Sequence, residues 1–215
     1  MLLRYREKRR ARDMQLGAAL DYSASMGSLT TARQLQRVEA HVADALAKGA
    51  ALMAGGRRRP DLGPLFYEPT VLTGVQPGML AYGEETFGPV VSVYRFAGDD
   101  EAVELANATR YGLNASIWSR DSRKAARLAR RIRAGSVNIN EAYAAVWGSV
   151  DSPIGGMKES GLRPRHGAEG ILKYTYSQTV AVERLIPIAP FGRIDSVRYA
   201  RAMTHLLKLM KRIGL

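Results

Sequence analysis

Between Val90 and Asn140 the chain alternates apolar, strand-like runs with amphipathic helical runs at short spacing. This alternation restricts the fold more than any other feature. Val90–Phe96, Asn114–Trp118 and Ser136–Asn140 read as strands. Asp99 or Asp100 is placed to cap a helix running to Ala108. Asp121 is placed to cap Ser122–Arg133, with Ala125, Leu128, Ala129 and Ile132 on one face and Gly135 as the stop. Strand–helix–strand–helix–strand order with short connections predicts an α/β fold, a mostly parallel sheet with flanking helices and right-handed crossovers. In such sheets functional groups gather beyond the carboxyl ends of the strands. Asn140 stands at one such end, and Glu141–Ser152 is a long loop leaving it.

Upstream, residues 2–15 are helix-like and very basic. Asp21–Leu29 is a Ser- and Gly-containing loop. Thr31-Ala32-Arg33-Gln34 fits a capping box that opens a helix over Thr31–Lys48. Leu35, Val38, Val42, Ala45 and Leu46 follow at helical spacing, and Gly49 is its stop. Ala50–Ala54 reads as a further strand of the sheet. Phe66–Leu72 is another, and Pro69 within it argues for an edge or a bulge. In the tail, Ser196–Leu215, an apolar face of Met203, Leu206, Leu207, Met210 and Ile213 opposes a basic face of Arg198, Arg201, His205, Lys208 and Arg212. Such a helix can lie on an anionic membrane surface or dock on protein. Docking, or fraying at the terminus, is the preferred expectation.

Composition removes several functions. Hydrophobic residues make up 46% of the 215, so a packed core is expected. With no cysteine the chain supplies no disulfide, thiolate metal site or thiol nucleophile. The net charge of +12 raises nucleic acid and anionic membrane as partners. The arginines sit largely on helical segments, where a charge run is usually a solvated face, so nucleic acid is not expected. His41, His166 and His205 are scattered through the sequence, and no metal site is expected. No G-x-G-x-x-G or P-loop pattern occurs. No apolar run approaches ~18 residues, and Met1–Arg6 lacks the apolar core of a signal peptide. The default location is cytoplasmic.

The chemistry-bearing stretch is Glu84-Glu85-Thr86-Phe87-Gly88-Pro89-Val90, two adjacent carboxylates and an aromatic before a strand. A carboxylate accepts two hydroxyl hydrogen bonds and an aromatic packs on a flat ring. In isolation the preferred reading of the stretch is an ordinary turn with solvated glutamates. It resembles, however, the E-E-x-F-G-P-V hallmark of the NAD(P)-dependent aldehyde dehydrogenase superfamily. Further runs resemble that family's landmarks in order. They are Gly49-Ala50 with Ala54-Gly55-Gly56, Phe66–Leu72, Asn107–Leu113, Ala134–Asn140 and Pro153–Gly161, then Tyr174-Thr175 and Thr179-Val180 in the final strand. Asn138–Tyr143 and Trp147-Gly148-Ser149 resemble the succinate-semialdehyde dehydrogenases.

The resemblance implies NAD or NADP as cofactor, with Glu85 on the nicotinamide ribose and Phe87 near the nicotinamide ring. It implies that Glu141–Ser152 lines a substrate entrance and that Ser149 meets a substrate carboxylate. A loop serine bonded to its own backbone is the alternative for Ser149. The family's nucleophilic cysteine, glutamate base and oxyanion-holding asparagine match nothing here. The chain therefore resembles the later part of the family only, and is expected to be inactive alone, with no catalytic residue assigned. Residues 1–177 would be a partial catalytic domain, 178–190 an oligomerisation strand, and 191–215 the amphipathic tail. The strand implies a homo-oligomer or pairing with a full-length relative, and a non-catalytic interaction module is the alternative function. Arg163-Pro164 stand where the family usually has Gly-Arg, and proline there removes a backbone donor.

Overall fold

A computed structural model of the chain describes residues 2–19, 21–161, 164–182, 184, 189–190 and 192–214, without the side chains of residues 2–7. The chain divides into two compact units, Met1–Lys173 and Tyr174–Leu215.

The first unit begins with α1 (Leu2–Asp13) and α2 (Ala32–Ala47). Thr31 caps α2, its Oγ1 accepting from Gln34 N at 3.2 Å. The return arm of the box lands one residue earlier than expected, with Gln34 Oε1 accepting from Thr30 N at 3.2 Å. The chain continues through β1 (Ala51–Ala54), β2 (Thr70–Thr73), the short α3 (Leu80–Gly83) and β3 (Val90–Val93). These strands form one sheet in the order β1-β2-β3. β2 pairs parallel with β3 from Thr70↔Val90 to Thr73↔Val93. β1 runs antiparallel to β2, with a register shift between Leu52 and Ala54. No crossover helix separates these two strands, so the chain returns in the opposite sense.

Phe66–Leu72 is corrected by this arrangement. The strand is Thr70–Thr73, buried throughout and central in its sheet. Pro69 stands just outside it, where its missing donor interrupts no ladder. α2 covers the sheet with Leu35, Val38, Val42 and Ala45. One cluster joins Ala45 to Ala50, Leu72, Val75 and Met79; another joins Leu35, Val38 and Val42 to Tyr67. Each of these buried Leu and Val side chains contributes about 1.5–3 kcal/mol.

The alternating segment then gives α4 (Asp99–Asn107), β4 (Tyr111–Gly112), β5 (Asn114–Ile117), α5 (Ser122–Ala129) and β6 (Ser136–Ile139). β5 and β6 pair parallel in register from Asn114↔Ser136 to Ile117↔Ile139. Asp121 caps α5 as expected, accepting from Lys124 N at 2.9 Å. Neither aspartate caps α4. The cap is Gly98, and Glu101 Oε2 accepts from Ala97 N at 2.6 Å. Asp99 and Asp100 sit in the first turn, where the helix dipole favours them, and form ion pairs with Lys124 in α5 and Arg131 just beyond it at 2.8 and 2.7 Å.

After β6 come α6 (Ala144–Gly148), β7 (Met157–Lys158) and α7 (Gly167–Leu172). β7 runs antiparallel to β4. The α/β class and its parallel pairs are as the alternation predicts. The strands nevertheless fall into three hydrogen-bonded groups, because period fixes an element's type and not its neighbour.

In the second unit, α8 (Ser196–Arg212) is capped by Asp195, which accepts from Val197 N and Arg198 N at 3.0 and 2.9 Å. Gln178–Val182 form no ladder among the described residues, and Glu183 and residues 185–188 of the expected oligomerisation strand lie outside them. No described helix is long and apolar enough to cross a membrane.

Candidate functional site

The loop between α3 and β3 carries Glu84–Pro89, and one face of α2 holds it. Gln34 Nε2 donates to the Phe87 carbonyl. Arg37 Nε donates to the Glu85 carbonyl at 3.1 Å, and its terminal nitrogen pairs with Glu84 Oε2 at 3.1 Å. His41 Nδ1 meets Thr86 Oγ1 at 3.0 Å. Positions 34, 37 and 41 recur at helical spacing, so one face meets successive residues of the loop. Burial, then the Arg37 guanidinium, hold His41 below the usual histidine range against the opposing pull of Glu84 and Asp44.

Gly88 sits where α2 comes closest. A Cβ built there would lie 2.2 Å from Val38 Cγ2. Phe87 adopts φ +50°, left-handed backbone that a bulky residue seldom takes. The two glutamates therefore separate by role. Glu84 is drawn onto Arg37, while the Glu85 carboxylate has no hydrogen bond or ion pair among the described residues.

Glu85 and Phe87 line one cleft of about 480 Å³ with Tyr111, Asn114, Glu159 and Ser160. Phe87 is 65% exposed. Three sequence runs build the opposite wall and are tied together there. Asn107 donates from Nδ2 to the Arg131 carbonyl at 2.9 Å and accepts from Arg133 N at 2.7 Å. Lys158 Nζ donates to the carbonyls of Asn107 and Thr109 at 3.0 and 2.9 Å, closing the carboxyl end of α4. Ser160 Oγ accepts from Gly112 N at 3.0 Å. At Gly135 a Cβ would lie 1.6 Å from the Gly155 carbonyl oxygen, so only glycine lets these backbones meet. Sequence reasoning marked these runs but gave Asn107, Lys158 and Ser160 no role. Lysine and serine inside glycine-rich turns were the available signal.

A second cleft of about 590 Å³ adjoins the first through Leu113, Asn114 and Ser160, and takes Tyr143, Trp147 and Ile154 from the loop after β6 and Arg165 from the segment after β7. That loop is pinned at its start. The Ala142 carbonyl accepts from Asn114 Nδ2, Ser116 Oγ and Asn138 Nδ2 at 3.0, 2.8 and 3.1 Å. Glu141 Oε1 accepts from the backbone of Ala142, and more weakly from Ala144 and Tyr143, which lowers its pKa. Asn140 faces the other way, its amide bonded to both the N–H and the carbonyl of Ser119. Within the loop lies α6, which reading it as loop alone had missed. Ser149 ends α6, and its Oγ donates to the Ala145 carbonyl at 2.8 Å. It is not among the residues lining the second cleft. Leu162 and Arg163 lie outside the described residues.

An unengaged carboxylate and an exposed aromatic ring, set in a cleft on an α/β frame, fit the flat ring and hydroxyls of a nucleotide-type ligand. The chain belongs to the aldehyde dehydrogenase family, whose model matches residues 3–180. A Mycobacterium tuberculosis protein named as succinate-semialdehyde dehydrogenase, NADP(+), 2 is 50% identical over 202 residues, 94% of this chain and 39% of that protein. A Pseudomonas putida protein named 3-sulfolactaldehyde dehydrogenase is 40% identical over 177 residues, 81% of this chain and 36% of that protein. Among solved structures, betaine aldehyde dehydrogenase from Staphylococcus aureus in complex with NAD+ superposes with TM-score 0.72 at 37% identity, covering 77% of this chain and 33% of that one. Succinate-semialdehyde dehydrogenase from Burkholderia pseudomallei superposes with TM-score 0.68 at 41% identity, covering 78% and 34%. The chain thus spans about two-fifths of the length of the curated relatives it matches, 39% for the mycobacterial proteins.

Proposed function

We propose that this chain is the later catalytic-domain part of an NAD(P)-dependent aldehyde dehydrogenase that oxidises succinate semialdehyde or a related aldehyde to the acid. The observation that carries this is the convergence of Glu85 and Phe87 on one cleft, with Glu84 removed from competition by Arg37. Glu85 would accept from the ribose hydroxyls of the cofactor, and the Phe87 ring would pack beside the nicotinamide. When bound, the nicotinamide supplies the hydride acceptor. The chain's own contribution is to fix that end of the cofactor: α2 sets the loop, and the Asn107–Lys158–Ser160 ties set the facing wall. Ser149 is assigned to the substrate carboxylate, which requires its hydroxyl to exchange the Ala145 carbonyl for the ligand.

Aldehyde oxidation through a thioester needs a thiolate, and the 215 residues contain no cysteine. The chain by itself is therefore inactive in this proposal. Two hydroxyl-to-carboxylate bonds and a ring contact correspond to affinity on the order of millimolar or weaker. The binding test is saturation-transfer NMR of NAD+ and NADP+ with the purified chain. Transfer to the nicotinamide and ribose protons, lost in Glu85→Ala and Phe87→Ala, is expected; equal transfer in all three proteins would refute the assignment. NAD(P)H formation from succinate semialdehyde by this cysteine-free chain would refute its inactivity.

A second reading, a non-catalytic module that pairs with full-length relatives, draws on Val180 and Val182, which are 79% and 69% exposed. Co-elution with a full-length relative in size-exclusion chromatography, abolished by Val180→Lys, is its expected signature. Separate elution would remove it.

A further inference from the structure

A strongly two-sided helix lies outside the cleft. At 3.6 residues per turn, α8 places Tyr199, Met203, Leu206, Leu207, Met210 and Ile213 on a continuous arc, and Arg201, Thr204, His205, Lys208, Lys211 and Arg212 on the arc opposite. Val197, in the first turn, is the one apolar residue on the basic side. No residue of α8 is buried. Leu207 and Ile213 are 60% and 64% exposed, although a helix this strongly segregated is built to cover its apolar face. The charge is of one sign. Residues 196–215 contain five Lys or Arg and no Asp or Glu. Only Arg198 has an acidic partner among the described residues, the capping Asp195 at 3.4 Å.

That uniform charge selects the occupant. Two copies of α8 meeting on their apolar faces would leave the basic arcs turned outward with no acid on either flank to pair with them, unlike paired helices that set opposite charges along their flanks. A bilayer surface rich in anionic headgroups offers both requirements in one plane. It gives phosphates to the Lys and Arg arc and an acyl boundary to the apolar arc. At 17 residues the helix is no membrane span, but its length suits lying flat.

We propose that α8 docks in the plane of an anionic lipid bilayer. Met203, Leu206, Leu207, Met210 and Ile213 enter the acyl boundary, and Arg201, Lys208, Lys211 and Arg212 lie among the headgroups. The sequence alone favoured docking on protein or fraying at the terminus. The unburied apolar arc and the lack of any acid along the helix reverse that preference.

The absence of cysteine makes the test site-specific, because a single introduced thiol is the only one labelled. Leu207→Cys and Thr204→Cys forms of the full chain each carry an environment-sensitive fluorophore. They are mixed with vesicles of phosphatidylcholine alone, or with about one-third phosphatidylglycerol. A blue shift at position 207, absent at 204 and confined to anionic vesicles, is expected. Changing Arg201, Lys208 and Arg212 to Gln is expected to lower partitioning by roughly 100-fold. Leu206→Ser with Met210→Ser also lowers it, while neutralising Arg9, Arg10 and Arg12 in α1 leaves the shift at 207 in place. The proposal fails if the α8 charge variant binds like the parent, or if the serine variant does, which would mean purely electrostatic adhesion of a basic protein. It fails equally if position 207 shifts without vesicles as protein concentration rises, which would place a second copy on that face.

Discussion

Replacing Gly88 by alanine would drive a methyl group into α2. The new Cβ would lie 2.2 Å from Val38 Cγ2 and 3.5 Å from Val38 Cβ. Val38 is fully buried, at 0% exposure, and the residue after Gly88 is a proline. Neither side of the contact therefore yields without moving backbone or core. Overpacking of this kind costs about 1–3 kcal/mol, which for a chain of this size lowers Tm by roughly 2–12 °C. Val38→Ala alone removes buried methyl groups and leaves a void, a loss of about 2 kcal/mol. In the double variant the alanine methyl occupies space that Val38 vacated. The two losses should then fall short of additive by about 1–2 kcal/mol. Urea unfolding of the four proteins, followed by far-UV circular dichroism, measures the cycle. Additivity within about 0.5 kcal/mol, or a Gly88→Ala chain as stable as the parent, would refute the close approach of loop and helix.

Three further outcomes are expected. His41 is neutral and held below its ordinary value of 6.5 by burial and Arg37. As pH falls through 6.5 the unfolded chain therefore takes up the proton first, and stability declines until the folded-state pKa is passed. Melting from about pH 7.5 to about pH 5.5 should show a smaller decline in His41→Asn than in the parent, and parallel curves would contradict this. Lys158→Met keeps the aliphatic stem but leaves the Asn107 and Thr109 carbonyls without their charged donor, a loss of about 2 kcal/mol in urea unfolding; a loss below about 0.5 kcal/mol would mean that water replaces the lysine at little cost. Asp195→Ala removes both capping bonds of α8 and should cost that helix about 1 kcal/mol, read as faster amide exchange at Val197 and Arg198. Unchanged exchange there would show that the cap does not hold the first turn.

Part of the candidate site was legible through one short motif. The resemblance of E-E-T-F-G-P-V to the family's hallmark named Glu85 and Phe87 without any coordinates, and the structure brings both to one cleft. What the motif could not say is why the second carboxylate rather than the first stands free. Glu84 and Glu85 are chemically identical neighbours, and the choice is made by Arg37, 47 positions from the glutamate it binds. The same limit applies to Lys158, whose partners lie 51 and 49 residues away. For Ser149 the local bond is the one formed, to a carbonyl in the preceding helical turn.

The sequence by itself determined the elements whose stabilisation lies within a few residues. α2 and α5 form where Thr31 and Asp121 cap an amphipathic run, and α8 follows the sorting of its apolar and basic residues. β3, β5 and β6 follow short apolar runs between such helices. Tertiary structure decided everything that depends on which groups meet. It set β1 antiparallel against β2, made Thr70–Thr73 a central buried strand with Pro69 outside it, and gave the α4 cap to Gly98 and Glu101 rather than an aspartate. It also closed the Asn107–Lys158–Ser160 ties around the cleft. The physical reason is common to all of these. Periodicity and capping reward contacts within one or two helical turns, whereas strand pairing and cleft walls join groups tens of residues apart, and only packing selects among the partners equally available to them.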